Sequence, residues 1–407
     1  MSGLVSKGLV FAGNVLIRPL SSLIPRDQHR WAFGAPDGRF EGNTKHLFLW
    51  LGLHPTSASP VWITTNRMMV RRLREQGLPA LYRWSPRGLL AAARAGVYVV
   101  NDNSSDINFP LGGGAKIFNL WHGVGLKNVH FGAKVGFGAH LQATGHSLFG
   151  KIRNMRRFER SDWVLATSPD MANTFFKRCF DLPISNLPAL GYPRLDPVLD
   201  NDLKQLSASF EDYSALVKPA GITKSIIFVP TVRRHESDLL SEALPDLDIL
   251  SAALEEQNAE LLLKLHPKRK LYPKWRGPLP YNIRIMPESL DIYPILDQFD
   301  AMITDYSSLF FDYIQSRSEG MVLYPFDYDR YTSTERDLAW DYNNVTVGLR
   351  VDNFASLCEA IRTGRVFDPL EPSKLAALRR QFWGGEPTLP TASARIVDYL
   401  LNQVVDK

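Results

Sequence analysis

Short apolar runs alternate along the chain with stretches that repeat apolar residues at helical spacing. Trp31–Gly34, Val61–Thr64, Ala80–Arg83, Val97–Asn101, Ile117–Trp121 and Trp163–Thr167 read as strands. Between them the spacing predicts helices over Asn43–Leu51, Met68–Gln76, Pro86–Arg94 and Pro169–Phe180. Asn43 or Thr44 is expected to cap the first helix, Gly77 ends the second and Pro169 opens the last. A second series follows, with strands Ser225–Val229, Leu261–Leu265, Ile283–Met286, Ala301–Thr304 and Met321–Tyr324. Its helices are predicted over Leu247–Gln257, Ile292–Leu296, Leu309–Ile314, Phe354–Ile361, Lys374–Phe382 and Ala392–Val404. Such alternation implies parallel sheets covered by helices on both faces. The fold class is therefore α/β, with two Rossmann-like parallel-sheet domains facing a cleft.

The polar stretch Asp200–Ser214, after Pro193 and Pro197, is the best candidate for the connection between the two series. The chain divides as an amphipathic helix at 1–24, one α/β domain at 25–200, a second at 201–390 and a closing helix at 391–407. In the first of these segments Lys7, Asn14, Arg18 and Ser21 share a narrow face, and leucines, valines and Ile17 cover the rest. Its longest uncharged run, Gly8–Ile17, is shorter than the ~20 residues that span a bilayer. No clear small-residue cleavage site of a signal peptide follows. Two readings stand: a helix lying on a membrane surface with its basic residues at the headgroups, or a terminal helix packed on its own domain.

Length and composition add little to this picture and contradict none of it. A chain of 407 residues is too long for one ordinary core. Two cysteines, Cys179 and Cys358, give no disulfide framework and no metal spacing, which points to a reducing compartment. The net charge of +5 suits a phosphorylated substrate or an anionic surface, and no nucleic-acid-binding motif accompanies it. His46, His54, His130, His140, His146 and His235 show no metal-ligand spacing, so no metal is expected.

The chemistry gathers at strand ends. Ala301–Thr304 runs into Asp305-Tyr306-Ser307-Ser308 and then a helix, which brings free backbone N–H groups and the positive end of a helix dipole to one spot. That is an anion site or an ordinary serine-capped turn. Two further strands lead into Pro230-Thr231-Val232-Arg233 and Leu265-His266-Pro267. A phosphate or diphosphate needs such converging donors, and arginine can grip it with two N–H groups. In the first half Ile117–Trp121 ends in His122-Gly123, ahead of Lys127. Imidazole suits general-base work on a hydroxyl, and glycine lets a substrate approach the backbone. Arg234, Lys268, Arg269 and Lys270 read as a solvated basic rim, and Gly112-Gly113-Gly114 as a flexible turn. Asp102 and Asp106 read as solvated loop carboxylates. The segment Tyr324–Tyr331 reads either as flanking a base or sugar or as ordinary aromatic packing.

Seven stretches, in order, resemble the CDP-glycerol:poly(glycerophosphate) glycerophosphotransferase family of teichoic-acid primases and polymerases. They are Phe40–Lys45, Leu120–Lys127, Gly191–Asp196, Pro230–Arg233, Leu265–Pro267, Thr304–Tyr313 and Phe326–Tyr328. The chain departs from the family pattern after His122-Gly123, where Val124 and Gly125 replace the more usual threonine and proline. The resemblance implies a GT-B-like fold with an acceptor domain at 25–200 and a donor-nucleotide domain at 201–390. It implies transfer of glycerol phosphate, or a related polyol phosphate, from a CDP-activated donor to a lipid-linked or polysaccharide acceptor, with release of CMP and no cofactor. It places the enzyme peripherally on the cytoplasmic face of the cell membrane, in teichoic acid, capsule or lipopolysaccharide synthesis. His122 becomes the expected base and His266 a second catalytic residue. The expected substrate-binding residues are Gly123, Lys127, Arg194, Thr231, Arg233, Asp305, Ser307 and Ser308. Two alternatives remain at this stage: a GT-B glycosyltransferase using a nucleotide sugar, and a non-catalytic membrane-associated scaffold that keeps a nucleotide cleft.

Overall fold

The computed structural model describes residues 13–133, 155–156, 159–233, 239–265, 278–335 and 337–405. The expected pair of parallel α/β sheets is present. The first comprises β1 (Asp27–Phe33), β2 (Ser59–Thr64), β3 (Ala80–Tyr82), β4 (Ala95–Val100), β5 (Lys116–Asn119) and β6 (Trp163–Val164), in the order β3-β2-β1-β4-β5-β6. The second comprises β7 (Lys224–Val229), β8 (Ala259–Leu263), β9 (Ile283–Ile285), β10 (Ala301–Thr304), β11 (Met321–Leu323) and β12 (Leu349–Arg350), in the order β12-β11-β10-β7-β8-β9. Every strand pair is parallel. The central strands β4, β8 and β10 are buried along their whole length, as strands covered on both faces must be. Strand order reverses between β1 and β4 and again between β7 and β10, and open α/β sheets take their ligands outside the carboxyl ends at such points.

The polar stretch after Pro197 lies between β6 and β7 and is itself folded. Asn201–Ala208 is a helix capped by Asp200, which accepts from Leu203 N at 2.9 Å, and Leu203 and Phe210 are buried in the core. The apolar residues of that segment sit at helical spacing, so the chain coils to bury them. The helix Gly42–Leu53 is not capped by Asn43 or Thr44. Both lie inside it, and Asn43 donates to the carbonyls of Leu120 and Trp121 at 3.0 and 2.9 Å. The segment after Tyr324 includes a helix, Tyr328–Thr334, and Tyr331 stacks on Tyr306 with ring centres 4.0 Å apart. Both tyrosines are buried, so this cluster packs rather than lining open space.

The N-terminal helical turns, Gly13–Ile17 and Arg18–Ser21, lie against the first sheet's loops with their polarity reversed from expectation. Arg18 turns inward. It donates to Phe109 O at 2.6 Å, stands over the Phe109 ring and ion-pairs with Glu159. Leu16, Leu20 and Leu23 are exposed instead, at 62%, 64% and 79%. Gly113 passes so close under the Arg18 carbonyl that a Cβ would collide with it, and its N–H donates to Ser21 Oγ at 3.0 Å. The glycine triplet is thus a seat for this helix rather than a free turn.

The last helix, Ala392–Leu400, returns to the first half. Asp196 accepts from the backbone N–H groups of Ala392 and Ser393 at 2.9 and 2.8 Å, and the Tyr399 ring meets those of Phe118 and Trp163. One apolar core runs through both halves and includes Leu120, Trp121 and Tyr192 from the first with Phe310, Phe311 and Phe382 from the second.

Candidate active site

β5 delivers the chain to His122. Asn119 Oδ1 accepts from Trp121 N at 2.8 Å, and Trp121 is held at φ 54, a left-handed conformation that a tryptophan adopts only under constraint. This bend turns the His122 ring toward solvent while its neighbours close around its base. Nδ1 lies 3.3 Å from Asn101 O, the end of β4, which assigns the proton to Nδ1 and leaves Nε2 free to accept one. Crowding by protein lowers the His122 pKa below the usual imidazole value; Asp102 opposes this and Arg194 adds to it. The imidazole is therefore neutral near pH 7, the state a general base requires.

The carbonyls of this loop are fixed one after another. His122 O accepts from Arg194 Nη1 at 2.8 Å, Gly123 O from Tyr192 OH at 3.0 Å and Gly125 O from Trp340 Nε1 at 2.8 Å. Nearby Asp106 is buried rather than solvated; burial and Asp102 push its pKa up to about 8.

In the second half, the reversal between β7 and β10 carries the other expected residues. Asp305 accepts from Thr231 N at 2.9 Å and from Arg233 Nη2 at 2.9 Å, while Arg233 also bonds Asp327 through Nε and Nη2 at 2.9 and 2.8 Å. Arg233 is buried with its guanidinium shared between two carboxylates, so it shapes the turn instead of gripping a phosphate. Asp305 is likewise buried and acts as the knot that ties β7's end to β10's. Thr231 Oγ1 is buried without a hydrogen-bond partner. Ser307 Oγ accepts from Leu309 N at 3.3 Å at the start of the helix Leu309–Ser316. Ser308 does not cap that helix by its side chain; it has helical dihedral angles, and its hydroxyl bonds to no other described residue.

The structure brings His122-Gly123 and Ser307-Ser308 together across the cleft. A Cβ on Gly123 would stand 2.9 Å from Ser308 Oγ. Arg194 is also at this junction, but buried, with Nη2 on both oxygens of Asp312 at 2.9 and 2.7 Å. Lys127 is half-buried and its backbone bridges to Leu338. His266, like the basic residues 268–270 and Arg234, lies outside the described residues.

Sequence reasoning missed Tyr192, Asn101, Asp312, Asp327 and Trp340. Asp312 carried one signal: an acidic residue amid the apolar ones of the helix after Ser308, on a face that must be buried. Among the described residues no group of three or more histidines, cysteines or carboxylates is placed to hold a metal ion, and no helix is long and apolar enough to cross a membrane.

The chain matches the family model of CDP-Glycerol:Poly(glycerophosphate) glycerophosphotransferase over residues 18–402. It is 28% identical over 254 residues to the teichoic acid ribitol-phosphate polymerase TarK of Staphylococcus aureus (strain NCTC 8325 / PS 47), covering 60% of this chain and 45% of that protein. It is 22% identical over 332 residues to the teichoic acid glycerol-phosphate transferase of the same organism, covering 80% of each. The solved structure of the wall teichoic acid polymerase TagF matches with a TM-score of 0.73 at 20% identity, over 100% of this chain and 98% of that one, so the two share a GT-B-like fold. The chain spans less than half the length of the polymerases it matches in sequence, at 45%, 42% and 39%.

Proposed function

This chain belongs to the CDP-glycerol:poly(glycerophosphate) glycerophosphotransferase family, and on that premise we propose that it transfers glycerol phosphate, or a related polyol phosphate, from a CDP-activated donor to a hydroxyl of a membrane-linked acceptor. The carrying observation is the contact of the His122-Gly123 loop with the Ser307-Ser308 turn across the cleft. Residues 25–200 present the base to the acceptor, and residues 201–390 hold the donor.

In the proposed reaction His122 Nε2 takes the proton of the acceptor hydroxyl. The oxygen attacks the β-phosphorus of the CDP-polyol, a new P–O bond forms, and the bond to the oxygen bridging the two phosphates breaks. CMP leaves with that oxygen and its charge. The start of the helix Leu309–Ser316, with the free Ser308 hydroxyl and the unpartnered Thr231 hydroxyl, offers donors to the diphosphate. Arg233 and Asp305 hold that turn in shape. His266 and Lys127 keep their proposed roles from sequence position, His266 as the second catalytic residue and Lys127 on the acceptor side.

The exposed Leu16, Leu20 and Leu23 support peripheral attachment to the cytoplasmic face of the membrane through residues 1–24, with apolar side chains rather than Arg18 entering the interface. The polymer made is a teichoic acid, a capsule or a lipopolysaccharide component.

The test is CMP release from a panel of CDP-polyols and nucleotide sugars, with candidate lipid acceptors present and absent. Release of CMP with formation of a phosphodiester supports the reading. A glycosidic product would make the protein a glycosyltransferase, and tight CDP-glycerol binding without turnover in any arm would make it a scaffold.

A further inference from the structure

Arg194 was expected at the substrate, and both its terminal nitrogens are engaged by protein groups. Its backbone N–H donates to Asn43 Oδ1 at 3.3 Å, Nη1 donates to the His122 carbonyl at 2.8 Å, and Nη2 donates to both oxygens of Asp312. Asp312 accepts a further bond, from Tyr293 OH at 3.1 Å. Arg194 and Asp312 are 3% and 1% exposed, so no solvent screens the pair. Asp312 sits one turn into the helix that begins after Ser308. Arg194 therefore touches the base's own peptide on one side and the serine-turn helix on the other.

We propose that the Arg194–Asp312 pair is a positioning clamp that sets the register between His122 in one half and the Ser307-Ser308 turn in the other. The proposal rests on the reading of His122 as base and the serine turn as phosphate anchor. An in-line attack needs the base and the phosphorus at fixed separation, and an error of 1 Å costs about 10²-fold in rate. A helix and a loop on separate sheets do not hold such a register by themselves. Nη2 holds the Asp312 carboxylate and Nη1 of the same planar group holds the His122 carbonyl, so one rigid guanidinium sets the separation and angle between the two. Tyr192 and Trp340 hold the carbonyls of Gly123 and Gly125, so the clamp acts on a loop tied at further points.

The clamp predicts a particular kinetic pattern. Arg194→Lys keeps the charge and loses the rigid plane that joins the Asp312 contact to the His122 contact, and Asp312→Asn keeps the shape and loses the charge. Each should lower kcat by about 10²-fold while changing KM for the CDP-polyol by less than about threefold, because the donor's own contacts lie elsewhere. Tyr293→Phe, which removes one bond to Asp312 and no volume, should lower kcat by about three- to tenfold and keeps the test open if the buried-charge variants do not fold. The charged and titratable groups around His122 are Asp102, His130, Arg194 and, through Arg194, Asp312. Removing the guanidinium in Arg194→Gln should raise the His122 titration midpoint, read by NMR of the imidazole with no substrate present. A raised donor KM at unchanged kcat would overturn the proposal and return Arg194 to the substrate. So would wild-type kcat in folded Arg194→Lys and Tyr293→Phe, or an unmoved His122 midpoint in Arg194→Gln. The NMR readout needs no turnover. Failure of wild-type protein to release CMP would therefore refute the proposed function without deciding the clamp.

Discussion

Arg233 and Asp305 form a buried ion pair at 2.9 Å, with Asp327 on the same guanidinium at 2.8 Å. Burial works against the Arg233 charge, but the two carboxylates outweigh it and raise its pKa. Removing the arginine leaves buried Asp305 without an ion-pair partner at the foot of the serine turn and Asp327 with only Arg330, at 3.4 Å. Arg233→Ala should cost about 3–5 kcal/mol of stability, read by denaturant unfolding, and should weaken donor binding through disorder of the turn. Arg233→Lys should recover part of the stability, because an ammonium cannot bridge both carboxylates with the same geometry.

The base gives a pH signature. Crowding and Arg194 hold the His122 pKa below its usual ~6.5. The neutral form is the active one, so kcat/KM should be flat at neutral pH and fall only as pH drops through a midpoint under ~6.5. His122→Ala should lose about 10²–10⁴-fold in kcat with donor binding retained. A midpoint above that value, or near-normal CMP release by the alanine variant, would remove His122 from the base role.

A second buried cluster ties the halves together beside the Arg194–Asp312 pair, with the His46 ring meeting that of Tyr293. Lys45 Nζ donates to Glu211 at 2.7 Å and to Asp291 at 2.8 Å, and His46 Nε2 lies 3.2 Å from Asp291. Burial pushes the Asp291 carboxyl up, but Lys45 and His46 outweigh it and hold it well below the carboxylate range. Burial likewise pulls Lys45 down and the two carboxylates outweigh it, raising its pKa. The Asp291 contribution is present above the unfolded value of ~3.9 and is lost as pH falls below it. The Lys45 contribution is present below ~10.4 and is lost as pH rises beyond it. These two contributions to stability are therefore both fully present only between those limits. Lys45→Ala should lower stability by about 3–5 kcal/mol and flatten the acid edge of the profile measured by thermal unfolding.

Two glycines of the base loop should fail in different ways. A Cβ at Gly123 meets only the Ser308 hydroxyl, which can swing aside, so Gly123→Ala should fold and lose activity by roughly tenfold. A Cβ at Gly125 would enter the buried ring of Phe175, so Gly125→Ala should lose about 1–3 kcal/mol. Comparing unfolding midpoints with kcat separates the two effects.

The leucines of the N-terminal turns make the membrane reading measurable. Leu20→Glu and Leu23→Glu alter side chains that are 64% and 79% exposed, so the fold should be unaffected. Binding to anionic vesicles should weaken, as an apolar contribution of about 1.5–3 kcal/mol per leucine is removed. Unchanged vesicle sedimentation would place the contact elsewhere.

Strand and helix succession was legible because burial on both faces writes continuous apolar runs, and β4, β8 and β10 follow them closely. His122, Ser307 and Ser308 were legible because they stand where strands end. Arg194 was assigned to the substrate and Arg233 to the phosphate because a sequence shows a cation without its partner. Their partners, Asp312 and Asp327, come from elements over ninety residues away, and only tertiary structure reveals that those charges are already matched. Arg18 misled for the same reason, since Glu159 and Phe109 draw it inward. The helix Asn201–Ala208 was obscured by polar composition, although its few apolar residues bury it and Lys204 pairs with Asp297.

The return of Ala392–Leu400 to the first sheet has a consequence for how the protein is made. During synthesis residues 25–200 leave the ribosome well before residues 392–400, so Asp196 and the Phe118–Trp163 surface wait for that later segment. A fragment ending at residue 200 lacks the helix that packs on this surface. The half that carries the base is translated before the other half and completed after it.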